Sequence, residues 1–260
     1  MKIAFIISSA INLDDTVNIS FGNGNKRSAF SSEERFRQTQ YSLNSINLIF
    51  PDSKKYIFDT SINSDQYRKR LSYFKNLDFV SLNEIDKDKA MLCRTSKSKG
   101  FCESLSTMMF LDEKRNELEN YDFIIKLSGR YFFSSFDKSK LIEENTNKYL
   151  FKKIRKWDWK ESWNFPNYLK QPDNKLYYAP TQAYCVGKYS IEKYHNGIKN
   201  IYSHYLNESY ENAMRIDYEC LMYYFVLNNI MRVAYCGRLF YLPNNKNNSL
   251  YIVCNIHDRI

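Results

Sequence analysis

The sequence predicts an α/β fold, a mostly parallel sheet flanked by helices on both faces, in a single domain over residues 1–260. Three observations carry this. The runs IAFII (3–7), KYIFD (55–59) and FIIKL (123–127) have the nearly unbroken hydrophobicity of strands buried on both faces. The segments between them place apolar residues at helical spacing, so strands and helices alternate through the first half. No internal repeat, linker or shift of composition divides the 260 residues, a length that fits one large domain.

The first strand covers 2–8. The polar stretch over 12–27, with Gly22 and Gly24 among Asn residues, reads as a loop. Ser31-Ser32-Glu33-Glu34 is a capping-box pattern opening a helix whose Phe36, Leu43 and Ile46 keep helical spacing. Pro51 and Asp52 stop it, and strand two follows over 55–59. A helix over 65–75, a strand over 77–82, a helix over 101–113 with Leu105, Met108 and Met109 inward, and a strand over 121–127 complete a βαβαβαβ order. The second half is less regular. It reads as a strand over 149–154, a Trp-rich loop over 157–173, a strand over 177–186, helices over 191–205 and 211–228, and a strand over 230–234. An Asn-rich, ragged tail follows Pro243.

Composition bounds the function. Hydrophobic residues at 43% suffice for a core, and charged residues at 26% are ordinary for a soluble globular protein. Aromatics reach 17%, with 22 Tyr and 18 Phe; they fill the core, and a Tyr-rich cleft also suits stacking on sugars and bases. A net charge of +9 favours an anionic partner: a nucleotide diphosphate, a lipid headgroup surface or nucleic acid. Nucleic acid is disfavoured, because the densest basic run, KKIRK (152–156), is broken by Ile154 and no paired RNA-binding motif is present. The six cysteines (Cys93, Cys102, Cys185, Cys220, Cys236, Cys254) stand singly without CxxC spacing, the pattern of free thiols in a reducing compartment. MKIAFIISSA runs straight into a strand and a polar loop instead of reading as a signal peptide. No apolar stretch approaches the roughly 20 residues of a membrane helix. The expectation is a cytoplasmic protein, at most peripheral on the inner membrane face.

In open α/β sheets ligands bind beyond the C-terminal ends of the strands. The informative segments are therefore Ser8-Ser9, Asp59-Thr60-Ser61 and Ser128-Gly129-Arg130. The last follows a strand that also carries Lys126. Gly129 permits close backbone approach, and Lys126 with Arg130 would neutralise a pyrophosphate, Arg by bidentate contact. Lys99-Gly100, with Glu103 behind, opens a helix where backbone N–H groups favour an anion; the alternative is that Glu103 only steadies the first turn. Arg35 and Arg37 lie on the helix after the first strand, one of them placed to reach a phosphate and the other solvated; Arg37 is included among the donor-site candidates.

KLSGRY (126–131) after the fourth strand, ERFRQTQYSLNSI (34–46) on the first helix and KSKGFCESLSTMMFL (97–111) before the fourth strand together resemble bacterial glycosyltransferases of surface-polysaccharide synthesis (lipopolysaccharide, capsule). The likeness spans roughly residues 1–240 as an order of motifs. It implies the GT-A nucleotide-diphospho-sugar transferase fold, a nucleotide-sugar donor and a glycan or lipid-linked acceptor. It also implies that the Lys99 turn faces the donor. One departure matters: the family's Asp-x-Asp, which holds a divalent metal against the donor diphosphate, is replaced by Ser128-Gly129-Arg130. Lys126, Arg130 and Lys99 could supply the charge instead, so the expectation is metal-independent or weakly metal-dependent transfer with no metal ligand assigned. Asp14-Asp15 and His257 are poor substitutes.

Inverting sugar transfer needs a carboxylate to deprotonate the acceptor hydroxyl. Glu219 and then Asp217, in RIDYECLMYYF, match the late acidic motif that supplies this base in inverting relatives. On a continuous helix the two would lie about 160° apart and could not serve one site; the alternative is solvated surface acids. Asp158 and Glu161 in WDWKESW (157–163) are further candidates. Trp157, Trp159 and Trp163 surround them and suit either a sugar-stacking lid over the acceptor or a small core anchoring the loop. Two other functions compete. A sugar nucleotidyltransferase would want a Gly-rich basic loop after strand one, where SSAINLDD stands. A non-enzymatic glycan- or polyanion-binding module would not need the Ser-Gly-Arg turn at the ligand edge. No strand is followed by GxGxxG, which disfavours a dinucleotide enzyme.

Overall fold

The computed structural model describes residues 1–13, 30–151, 154–160, 166–208, 217–227 and 238–241. In chain order the elements are β1 (Ile3–Ser9), α1 (Ser32–Ile49), β2 (Lys54–Asp59), α2 (Ser64–Leu71), β3 (Leu77–Ser81), α3 (Leu82–Ile85), α4 (Lys87–Thr95) and α5 (Lys99–Leu118). They continue as β4 (Phe123–Ser128), β5 (Tyr131–Ser135), β6 (Tyr149–Phe151), β7 (Arg155–Asp158), β8 (Lys175–Tyr178), β9 (Ala183–Gly187), α6 (Ile191–Asn207), α7 (Tyr218–Leu221, running on as π-helical turns through Met222–Leu227) and β10 (Arg238–Tyr241).

Six strands form the central sheet in the order β3-β2-β1-β4-β9-β6. Neighbours β1 to β4 pair in parallel, whereas β9 runs antiparallel to both β4 and β6. The mostly parallel sheet expected from the apolar runs is thus present. Period-2 alternation sends Ala4, Ile6, Tyr56, Phe58 and Ile124 to one face, against α5, α6 and α7. Phe5, Ile7, Ile57, Phe123 and Ile125 go to the other, against α1 and α2. Both faces are covered, which is why these strands read as continuous apolar runs. Phe58 and Phe110, both fully buried and stacked at 4.8 Å, fasten α5 to the sheet.

Several boundaries differ from the sequence reading. The capping box at Ser31 forms as expected, with Glu34 returning the bond. The helix read over 101–113 begins earlier, because the Ser98 hydroxyl accepts from the Phe101 N–H, and it runs on to Leu118. The helix read over 65–75 stops at Leu71, ahead of Asn76 at φ 57. Helices α3 and α4 were not expected at all; their short length leaves little periodicity to read. The strand read over 177–186 is two strands, β8 and β9, separated by APTQ (179–182); Pro180, lacking an N–H, was the available signal. Part of the Trp-rich loop is the antiparallel ribbon β7–β8. The strand over 230–234 and the tail lie outside the described residues.

The order places β1 between β2 and β4, so the chain winds outward one way through β2 and β3 and then crosses over through α5 to β4. Ligand clefts form at such a reversal. Ser8 of β1 and Ser128 of β4 are paired there in register. Among the described residues no helix is long and apolar enough to cross a membrane.

Candidate active site

At this reversal a cleft opens to solvent. Its lining unites six of the donor-site candidates chosen from sequence, Ser8, Ser9, Lys99, Ser128, Gly129 and Arg130, together with Arg35, Thr60 and Glu103. Gly129 is fixed by its N–H donating to the Ser8 carbonyl at 2.9 Å. A Cβ there would stand 3.1 Å from that same oxygen, so glycine lets β1 and the Ser-Gly-Arg turn approach. The turn is also held from α1. Thr39 Oγ1 donates to the Arg35 carbonyl and lies 3.5 Å from the Gly129 carbonyl, Ser42 Oγ donates to the Tyr131 carbonyl at 2.5 Å, and Ser45 Oγ accepts from the Phe133 N–H at 3.1 Å. The motif ERFRQTQYSLNSI therefore acts through a stripe of small polar residues that aligns the turn and β5.

Other sequence candidates fall elsewhere. Arg35, not Arg37, lines the cleft; Arg37 is solvated, with Glu33 at 3.8 Å, so the choice between the two arginines is corrected. Asp59 is fully buried, and its carboxylate accepts from the N–H groups of Ile11 and Ser61 at 3.0 and 2.8 Å. It ties the loops after β1 and β2 together and is not part of the cleft lining. Lys126 is turned inward. Its Nζ donates to Glu103 Oε1 at 2.5 Å and to the Thr181 carbonyl at 2.8 Å, which leaves it behind the cleft wall. Asp158 is exposed at the end of the β7–β8 ribbon and paired with Lys175 opposite, away from the cleft lining. Glu161, Trp163, Asp14, Asp15 and His257 lie outside the described residues.

Residues outside the chosen candidates complete the wall. Arg94, buried in α4, donates to the Thr60 carbonyl at 2.6 Å and supports a residue of the cleft. Glu103 is the acidic member of the lining among the described residues. Thr181 links the two halves of the site. Its carbonyl accepts from Lys126 and its hydroxyl donates to Glu219 Oε1 at 3.0 Å. Glu219 is thus joined to Glu103 of the cleft lining through Lys126 and Thr181.

The expected helical geometry of Asp217 and Glu219 is corrected. Asp217 is the N-cap of α7, outside the helix with φ −72° and ψ 129°, so the 160° separation does not apply. Its carboxyl instead hydrogen-bonds the Glu219 side chain. Asp217 reaches solvent by area, yet the protein crowding its carboxyl raises its pKa. Burial, followed by the negative charges of Glu103 and Asp217, lifts Glu219 from 4.5 to about 7. The two carboxyls titrate together, and the bond from Glu219 partly offsets the rise at Asp217. The Tyr178 phenol, half-buried and held against Glu219, stays well above its ordinary pKa because burial and the nearby carboxylates disfavour its charged form. Over Tyr178 lies Trp157, half-exposed, with ring centres 5.1 Å apart. Trp159 packs partly buried against the main core, so it anchors the ribbon.

Among the described residues no group of three His, Cys, Asp or Glu side chains could hold a metal ion. The position where Asp-x-Asp would stand presents Ser128, Gly129 and Arg130, a cationic donor set unsuited to a divalent cation.

No protein-family model and no curated protein matches the sequence. Solved structures do match. Core-mannan synthase A of Aspergillus fumigatus, in a Mn/GDP form, aligns with 94% of this chain and 75% of its own at a TM-score of 0.53 and 9% identity. The galactosyltransferase LgtC, in complex with donor and acceptor sugar analogues, aligns with 89% of this chain and 72% of its own at a TM-score of 0.48 and 12% identity. The bifunctional glycosyltransferase WbbM covers 90% of this chain and 38% of its own at a TM-score of 0.46 and 12% identity. The likeness to the mannan synthase gives the chain the GT-A fold that the motif resemblance implied.

Proposed function

We propose that this chain is a glycosyltransferase that moves a sugar from a nucleotide-activated donor to a hydroxyl of a glycan or lipid-linked acceptor in cell-surface polysaccharide synthesis. The observation that carries this reading is the cleft at the reversal of strand order, where Arg35, Lys99 and Arg130 converge on the Ser-Gly turn of β4. Three cations in one partly enclosed cleft suit the diphosphate of a nucleotide sugar, and they stabilise the charge that develops when the sugar–phosphate bond breaks. Ser8, Ser9 and Ser128 add neutral donors and acceptors at the same strand ends.

Glu219 is the acid–base group of this reading. As the acceptor hydroxyl attacks the anomeric carbon, its proton passes to the Glu219 carboxylate and the nucleotide diphosphate leaves with the bonding pair. A carboxyl raised to about 7 is well matched to this step near neutral pH. Trp157 over Tyr178 offers an aromatic surface beside the base on which an acceptor sugar could stack. Direct attack inverts the anomeric configuration. The cationic turn at 128–130 favours transfer without a divalent metal, and a protein carrying no membrane-spanning helix among its described residues would meet a lipid-linked acceptor from the membrane surface.

The test is a thermal-shift panel of UDP, GDP, CDP, CMP and dTDP, each with and without manganese, because a ligand bound only to the native state raises its melting temperature. A shift with one nucleotide, indifferent to manganese, is expected. Dependence on manganese would overturn the metal-free reading, and silence across the panel would overturn nucleotide-sugar transfer.

A further inference from the structure

We infer that Glu103 reads the sugar ring of the donor, that Lys126 holds it in place for this, and that the transferred sugar is consequently a neutral, hydroxyl-bearing ring and not an acidic one. This rests on the sugar-transfer reading of the cleft and adds the class of donor. Glu103 stands one helical turn after Lys99, so the two share the face of α5 that lines the cleft. An acid set among Arg35, Lys99 and Arg130 would repel a diphosphate. Its useful partner is therefore the uncharged part of the donor. Glu103 is also the member of the cleft lining that a chain of hydrogen bonds through Lys126 and Thr181 ties to Glu219 behind the wall.

The position is fixed from within. Lys126 is fully buried, its side chain 1% exposed against 30% for Glu103, and its ammonium meets Glu103 Oε1 at 2.5 Å. That contact, made from a side chain itself packed in the core, holds the Glu103 carboxylate in one place. An ionised carboxylate only accepts hydrogen bonds, with about four lone-pair sites for one Lys contact. The remaining sites suit a pair of ring hydroxyls. A uronate or sialate carboxylate would instead be brought against Glu103 with Glu219 close behind, and like-charge juxtaposition of this kind is strongly disfavoured.

The experiment measures Kd for matched ligands by calorimetry at pH 8: UDP, UDP-glucose and UDP-glucuronate, together with GDP, GDP-mannose and GDP-mannuronate. The native protein should bind the neutral sugar nucleotide of its preferred base about tenfold or more tighter than the acidic one. Glu103→Gln should bring that ratio to within about threefold while the bare nucleoside diphosphate binds as well as before or better, since a negative charge near it is gone. Because Glu103→Gln leaves Lys126 buried without its carboxylate, the double variant Glu103→Gln/Lys126→Met, which removes both charges, is measured as well and should show the same collapsed ratio. Lys126→Met alone leaves the Glu103 charge but not its fixed position, so it should weaken binding of the neutral sugar nucleotide while the bare nucleoside diphosphate binds as before, a split that a purely structural role would not produce. An unchanged ratio in folded variants, or a native protein that binds the acidic sugar nucleotide as tightly as the neutral one, overturns the inference and leaves sugar transfer standing. Native protein that binds none of the six nucleotides, nor CMP, CDP or dTDP, overturns the transferase reading and this inference with it.

Discussion

Replacing Glu219 by Gln should make the protein more stable at alkaline pH while abolishing transfer. Burial and the charges of Glu103 and Asp217 raise this carboxyl from 4.5 to about 7. A carboxyl with a raised folded-state pKa binds its proton more tightly in the native state than in the unfolded chain. Below 4.5 both states are protonated and there is no penalty. As pH rises from 4.5 to about 7 the native state must either keep the proton or bear the charge, and stability falls. Above about 7 the loss is complete. At 1.36 kcal/mol per pH unit it amounts to about 3 kcal/mol, and coupling to the titration of Asp217 reduces it to about 2 kcal/mol. Gln keeps the shape and still accepts from the Thr181 hydroxyl, but cannot ionise. The melting temperature of Glu219→Gln should thus exceed that of the native protein by about 4–8 °C at pH 8, with the gap closing towards pH 4. The assay is calorimetry of both proteins from pH 4 to 9, with turnover measured in parallel. A gap that does not change with pH would refute the placement of Glu219 as a strained acid. Full turnover in the variant would remove it as the base.

Arg130→Ala should weaken binding of the preferred nucleoside diphosphate by about 10- to 100-fold, as loss of a charge-assisted contact implies, with little change in melting temperature; calorimetric titration checks this. Arg35→Ala should weaken the same binding whereas Arg37→Ala should not, because Arg35 lines the cleft and Arg37 is solvated; equal effects would overturn that distinction. Gly187→Ala should destabilise the fold by at least about 2–3 kcal/mol, seen as a lower denaturant midpoint, because a Cβ there would stand 2.3 Å from the Thr146 carbonyl oxygen, a backbone atom. Asp158→Ala should leave transfer unchanged, since its carboxylate pairs with Lys175 at the ribbon end and is not part of the cleft lining; a loss of turnover would return it to the site.

The α/β class, the alternation of strands and helices through β4 and the place of the Ser-Gly-Arg turn at the strand ends were legible in the residues themselves. Strands buried on both faces must be apolar throughout, and a glycine beside a cation after such a strand marks a cleft whatever surrounds it. Ser8, Ser9, Lys99, Ser128, Gly129 and Arg130 could therefore be chosen before any coordinates, since position along the chain already placed them at strand ends or a helix start. Side-chain direction was not legible in this way. Lys126 lies two residues before Ser128, yet it points inward, because only the packing of α5 brings Glu103 to it and only the β8–β9 connection brings it the Thr181 carbonyl. Asp59 and Arg94 bind loop backbone for the same reason, as buried groups that must satisfy their charge wherever the tertiary structure offers partners. The pairing of Asp217 with Glu219 depends on where α7 begins, and a cap residue escapes helical spacing. Local pattern determined which segments become strands, helices and turns; long-range packing alone decided which of their polar side chains face the cleft and which hold the wall behind it.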